Sequence, residues 1–266
     1  MSAAPADRYL ERDGARLAYS CTGSGRTLGY AHGVMLSRAA VRRLGLVDFG
    51  ALGEGRRLLT YDARGHGRST GRPVADDYRF GNFARDLLAL TEAVGQEEPM
   101  DLAGSSLGCD STLRAALAAP GRFRRLVLMI PPVAWETGPG RAQRWYTESA
   151  ETIEARGADA WRAEWARAEQ PRIFAGYPAF DMTPDVPDAL LAPILRGVGL
   201  SDLPAPEELA ALPHPTLILT WATDPLHPVA TAERLHELIG DSTLHVSTTV
   251  EEIQTWTDRI TGFLDA

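Results

Sequence analysis

Strands and helices alternate along this chain. That alternation predicts an α/β fold on a mainly parallel, doubly wound sheet, with a helical insertion between two core strands. Three observations carry the prediction. Continuous apolar runs at residues 126–130 and 216–221 read as strands covered on both faces. Segments of helical period lie between such runs, as at 83–94, where Phe83, Leu87, Leu90 and Val94 share one stripe. From Pro131 to about Pro206 the texture changes to one dense in aromatic residues and proline.

Taken in order, residues 9–12 and 16–21 read as a hairpin turned at Asp13-Gly14. Residues 28–31 form a short buried strand leading into His32-Gly33, and the strand 57–61 ends at Asp62. After the 83–94 helix come a strand at 100–103, a helix at 107–119 stopped by Pro120-Gly121, and the apolar strand 126–130. The insertion carries two helical stripes, one of Trp145, Ser149 and Ile153, the other of Trp161, Trp165 and Ala168. Its aromatic side chains either pack it onto the body or line a pocket. Then follow a strand at 216–221, a helix at 230–239, a strand at 243–247 and a closing helix at 250–264. Residues 1–130 and 207–266 thus form the core, and 131–206 the inserted helical unit.

Composition narrows the function classes. With 266 residues, 44% hydrophobic and 23% charged, the chain can bury a sizeable core, which excludes disordered and fibrous classes. No apolar stretch approaches the ~20 residues of a membrane helix. The N-terminal segment lacks a basic region and an apolar core, so a signal peptide is not expected there. A net charge of −8 disfavours nucleic acid and anionic membrane as partners. Two cysteines, Cys21 and Cys109, make no disulfide framework and point to the cytoplasm. All 27 basic residues are arginine, which rules out Schiff-base chemistry and a lysine-bearing phosphate loop. Metal-ligand spacings and a dinucleotide fingerprint are lacking as well, so neither a metal nor a cofactor is expected.

The chemistry starts at Gly104-Ser105-Ser106-Leu107-Gly108, a G-x-S-x-G run between a predicted strand and a predicted helix. A sharp strand-to-helix turn strains the serine backbone and lifts its hydroxyl above the carboxyl end of the sheet. Glycines on either side permit the close approach such a turn needs. The free N–H of Leu107 at the helix start suits a developing oxyanion. The bland alternative is a structural turn serine.

Two more motifs follow strands, His32-Gly33-Val34 and Asp62-Ala63-Arg64-Gly65-His66-Gly67-Arg68-Ser69. With Ser106 they make the chain resemble the α/β-hydrolase superfamily, in its capped serine-nucleophile branch, over about residues 9–264. The resemblance implies an α/β-hydrolase fold in which 131–206 is a cap. It implies a second oxyanion N–H at Val34, presented by the His32-Gly33 segment, and a loop held near the site by Arg64 and Ser69. It also implies an acid after the 216–221 strand, where Asp224 is the candidate; the alternative is that Asp224 only caps the following turn. Trp221 departs from relatives that carry glycine near that point, and is expected to narrow the site.

The family's catalytic histidine sits between the last strand and the last helix. Here Thr248-Thr249-Val250-Glu251-Glu252 already caps that helix, and no histidine follows His245. Of the six histidines, His32, His66, His236 and His245 read as structural, and His214, between two prolines, as a surface residue. His227 stands three residues after Asp224, in a turn stiffened by Pro225 and Pro228. The expected site is therefore Ser106 as nucleophile, His227 as relocated general base and Asp224 as its orienting carboxylate, with Val34 and Leu107 as oxyanion donors. That set predicts hydrolysis of an ester, thioester or lactone with a small apolar or aromatic acyl group. Loss of the usual histidine equally leaves open a lyase, cyclase or ligand binder on the same fold. Cys109 reads as a small buried side chain, and the pairs Arg42-Arg43, Arg56-Arg57 and Arg124-Arg125 as solvated surface.

Overall fold

The computed structural model describes residues 7–95, 98–136, 140–177 and 179–266. The first six residues, on which the signal-peptide reading rests, lie outside them, as do 137–139 and 178 of the insertion.

Eight strands form one sheet: β1 (Arg8–Arg12), β2 (Ala15–Gly23), β3 (Thr27–Ala31), β4 (Arg57–Tyr61), β5 (Met100–Ser105), β6 (Phe123–Met129), β7 (Thr216–Trp221) and β8 (Ser242–Ser247). Their spatial order is β1-β2-β4-β3-β5-β6-β7-β8. Only β1–β2 and β2–β4 pair antiparallel; every later pairing is parallel. From β3 the chain goes first to one side, to β4, and then to the other, to β5. The order reverses at β3/β5, and the crevice at the carboxyl ends of those strands is where α/β sheets place ligands.

Side-chain parity decides which layer each strand residue joins. Leu59, Leu126, Leu128 and Ile218 face a layer that includes α3 (Phe80–Val94), α4 (Leu107–Ala118) and α9 (Val229–Leu238). Their neighbours Leu58, Val127, Leu217 and Leu219 face α1 (Arg38–Leu44), α2 (Phe49–Leu52) and α11 (Trp256–Asp265). Leu126, Val127 and Leu128 are all 0% exposed, so the run that lacks polar alternation is the one buried on both faces.

Several expectations are corrected. The α3 helix begins at Phe80, three residues before the apolar stripe, where the Phe80 N–H finds the Ser201 hydroxyl at 3.1 Å. Helices α1 and α2 were not read from the sequence, although each has its signal: Ser37 caps the Ala40 N–H, Asp48 caps those of Gly50 and Ala51, and Gly45 closes α1 with φ = 64°. The closing helix is two, α10 (Val250–Gln254) and α11, separated at Thr255. His214 is 3% exposed, with its Nε2 donating to the Pro120 carbonyl at 2.9 Å, so it is not a surface residue. Arg124 and Arg125 are not free either. Arg124 grips buried Asp101 through two bonds of 3.0 and 2.8 Å and donates to the Leu264 carbonyl, while Arg125 reaches that of Phe263. Arg56 is 7% exposed and pairs with Asp265, so these arginines clamp α11 to the sheet.

Between β6 and β7 the chain forms α5 (Arg141–Arg156), α6 (Ala158–Trp165), α7 (Asp188–Gly199) and the short α8 (Pro206–Leu209). Ala168 falls beyond the end of α6 and is no part of its stripe. The α7 helix carries Pro193 in its interior, which costs a backbone hydrogen bond. Leu191, Ile194, Leu195 and Val198, at 0–2% exposure, bury the face that keeps it helical. The segment 181–187 runs back over the strand ends. There the Asp185 N–H donates to the Met35 carbonyl, the Gly67 N–H to the Asp185 carbonyl and the Ser37 hydroxyl to the Asp185 carboxylate, at 2.8, 2.9 and 2.5 Å.

Candidate active site

Ser106 is set by the turn between β5 and α4. Its φ = 52° and ψ = −113° are a conformation that a side-chain-bearing residue adopts only under constraint. The constraint is closeness. A Cβ on Gly104 would lie 2.0 Å from the Gly108 carbonyl oxygen, and one on Gly108 would lie 2.0 Å from that of Ala31 on β3. Only glycine at both positions lets the helix start press onto the sheet. Three more non-glycine residues with positive φ also sit at strand ends around this serine: Met35 (68°) after β3, Ile130 (47°) after β6 and Thr223 (70°) after β7.

The loop after β7 brings the other two groups. The Asp224 Oδ1 accepts the Leu226 N–H at 2.9 Å, an Asx-type turn that folds the carboxylate back over its own loop. The Leu226 carbonyl is held from the other side by the Val133 N–H at 3.0 Å. Pro225 and Pro228 bracket this turn, and α9 starts immediately after Pro228. His227 therefore points back toward β5. Its Nδ1 lies 2.8 Å from the Asp224 Oδ2, and its Nε2 lies 2.8 Å from the Ser106 Oγ. The three residues are brought together although Ser106 and His227 stand 121 positions apart in the chain. The three-residue spacing of acid and imidazole does not prevent the ring from bonding at both nitrogens. With Nδ1–H donating to the carboxylate, Nε2 is left to accept the serine proton.

Asp224 is a buried anion in a donor-rich place. Burial pushes its carboxyl up, but the His227 imidazole, the Leu226 N–H and the Trp221 indole together outweigh it and hold it at about 2. Tyr146 on α5 is pushed up to about 12, by burial first and then by the Asp224 charge. Trp221 does not narrow the cleft as expected. It is 6% exposed, and its indole N–H donates to Asp224 Oδ2 at 3.1 Å.

The remaining candidates surround this trio. Gly33 lies against Ser106, with a Cβ there only 3.3 Å from the serine Cβ. Among the described residues, the N–H groups of Val34 and Leu107 donate to no other acceptor. His32 is locked as one tautomer, donating from Nδ1 to the Gly33 carbonyl at 2.7 Å and accepting the Ala63 N–H at 2.9 Å, and burial lowers its basicity. It ties the β3 loop to the β4 loop. Arg64 is buried in a two-bond pair with Asp86 of α3, both at 2.6 Å. The Ser69 hydroxyl donates to the Asp62 carbonyl at 2.6 Å and accepts the Ala18 N–H at 2.8 Å. Both hold the loop rather than touch Ser106. Cys109 is buried, its thiol bonding to the Gly104 and Met129 carbonyls, and burial raises its pKa.

A cleft of about 690 Å³ opens beside His227, walled by Trp145, Trp165, Phe180, Met182 and Leu226. Arg162 also reaches it, but its guanidinium is occupied by Asp188 and the carbonyls of Pro184 and Val186. Trp145, Trp165 and Phe180 thus line this cleft, and Trp135 and Tyr146 a smaller pocket, whereas Trp161 and Phe174 are packed in the interior. Two contributions escaped the sequence reading. The role of Trp221 left no motif, and Met182 is one apolar residue in a proline-rich stretch.

Residues 32–256 match the family described as the alpha/beta hydrolase fold. Over 217 residues, 74% of this chain and 75% of the relative, the sequence is 30% identical to RutD of Variovorax paradoxus (strain S110), provisionally named a carbamate hydrolase. It is 28% identical over 196 residues to a 2-hydroxymuconate semialdehyde hydrolase of Pseudomonas putida, covering 72% of this chain and 68% of that one. Among solved structures, a hydrolase from Pseudomonas aeruginosa PA01 superposes with a TM-score of 0.78 at 26% identity, over 98% of both chains.

Proposed function

The chain belongs to the α/β-hydrolase fold family, and from that premise we propose that it is a serine hydrolase acting on an ester, thioester or lactone through an acyl-enzyme on Ser106. The observation that carries this reading is the pair of 2.8 Å contacts joining the Ser106 hydroxyl, the His227 imidazole and the Asp224 carboxylate.

The reaction runs as follows. The Ser106 Oγ attacks the carbonyl carbon as its proton passes to the His227 Nε2, and Asp224 stabilises the imidazolium that forms. The carbonyl oxygen, now negative, takes hydrogen bonds from the Val34 and Leu107 N–H groups. Collapse breaks the bond to the leaving oxygen or sulfur, which receives the proton from His227 Nε2. Water then attacks the acyl-enzyme, giving its proton to the same nitrogen, and Ser106 is released with that proton returned. Residues 131–206 act as a cap over the strand ends. The apolar, aromatic wall of the cleft supports a small apolar or aromatic acyl group as the part held there. Among the described residues no helix is long and apolar enough to cross a membrane, and both cysteines are free thiols, which supports a cytoplasmic location.

A fluorophosphonate probe and p-nitrophenyl esters test the proposal. The wild type labels and turns over; Ser106→Ala does neither, and His227→Ala loses roughly three or more powers of ten in kcat/KM. A Ser106 that fails to label would favour a lyase, cyclase or ligand binder on this fold. Near-normal turnover by His227→Ala would remove the relocated base.

A further inference from the structure

The Asp224–His227 pair occupies a single tight loop, which raises the question of what holds that loop still. The loop's own contacts do not: the Leu226 N–H that binds Asp224 Oδ1, and His227 itself, move with the turn they belong to, and the Val133 N–H, which anchors the Leu226 carbonyl from outside, does not touch the carboxylate. Among the described residues, the only donor to Asp224 from outside 224–227 is the Trp221 indole, at 3.1 Å. Trp221 is the last residue of β7, paired in register with Ser247 of β8. Its ring is gripped on both sides. Trp256 of α11 stacks on it at 5.6 Å and 14°, and Phe174 of the insertion meets it edge-on at 4.9 Å and 90°. Trp256 is itself fixed by its indole N–H on the Ser247 hydroxyl at 2.9 Å. Past β8, where the family resemblance places a catalytic histidine, Thr249 here caps α10 and the chain runs straight on toward Trp256.

We propose that Trp221 is a positioning residue: its indole N–H ties the Asp224 carboxylate to the rigid sheet, so that acid and base can share one loop and His227 still meets Ser106. The inference rests on the catalytic reading of that trio. Two donors converge on Oδ2, the indole from the strand and the imidazole from the turn, so the carboxylate cannot rotate without losing one of them. Among the described residues Tyr146 of α5 also faces the carboxylate, Glu169 and Arg172 share a second pocket with it, and Arg162 and Glu169 line the cleft beside His227.

Trp221→Phe keeps a six-membered ring to stack on and removes the N–H together with the pyrrole ring that carries it. The His227 ring is followed by 15N NMR, assigned by its loss in His227→Gln. With one donor fewer on Oδ2, the carboxylate accepts the His227 Nδ1–H more strongly, and the resonance of that proton moves downfield. In p-nitrophenyl ester turnover kcat falls about tenfold while KM stays within about twofold. A ring that merely packs would lower the melting temperature and leave the Nδ1–H resonance and kcat alone, which overturns the proposal. A second measurement needs no variant to fold. In the wild type a nuclear Overhauser contact joins one of the 6 tryptophan indole N–H protons to the His227 Nδ1–H, because both donate to Asp224 Oδ2; if none does, Trp221 is not coupled to the pair. Neither NMR result depends on turnover, so an inactive wild type would count against the hydrolase reading and leave the positioning result readable.

Discussion

Asp224 shows how much one side chain is asked to do. It is largely buried yet ionised, because three donors surround it. Its carboxyl, held at about 2, lies below its unfolded value near 4. The sign follows: the group adds stability at pH above about 4, and that contribution is lost as pH falls toward 2, on the order of 2 kcal/mol in all. In urea unfolding followed from pH 6 down to pH 2, Asp224→Asn should lack this part of the acid-side decline. A decline as steep as the wild type's would show that the carboxylate is not held as its contacts require. The same residue scale explains His32, whose burial and two fixed partners keep it a neutral strut between loops rather than a proton carrier.

Elements are joined here mostly by arginine. The Asp62–Ser69 loop hangs from α3 by the Arg64–Asp86 pair and from β2 by Ser69, and neither residue reaches the serine. Arg64 side-chain exposure is 4% and that of Asp86 1%, so removing one partner strands the other charge. Arg64→Ala should therefore destabilise by about 3–5 kcal/mol in urea unfolding, whereas Arg64→Met with Asp86→Leu should recover most of the loss. A loss below about 1 kcal/mol in the single variant would mean the loop is held by its backbone bonds alone. On the other face of the sheet, Arg56, Arg124 and Arg125 clamp α11, the helix that presents Trp256 to Trp221.

At the scale of the whole molecule, the insertion must be seated for the cleft to exist. Its seat is Asp185, bonded at once to Met35, Ser37 and Gly67 in the loops that follow β3 and β4. Asp185→Ala removes the side-chain bond and leaves Ser37 to cap α1. The expected result is a KM for an aromatic ester raised about tenfold with kcat changed less than about threefold, since the cleft wall shifts while the trio stays on the sheet. A fall in kcat alone would instead connect this anchor to Ser106 through the Met35 backbone.

The amino-acid sequence by itself determined what depends on near neighbours. The turn at Ser106 is legible because Gly104 and Gly108 are spaced for one strand-to-helix bend, and Asp224 and His227 because one proline-stiffened turn holds both. The strands were legible from their apolar runs. What only the tertiary structure decided is what meets across the fold. Strands stand about 5 Å apart, so β5 and β7 are separated by roughly 10 Å with β6 between them. His227 reaches Ser106 because the sheet order puts its loop two strands over from the elbow and the turn aims it back. No spacing in the chain records that Trp221 faces Asp224 and not the cleft, that His214 is buried or that Pro193 sits inside a helix. Each of these follows from which surface a residue is pressed against, and pairing between strands far apart in sequence sets that surface.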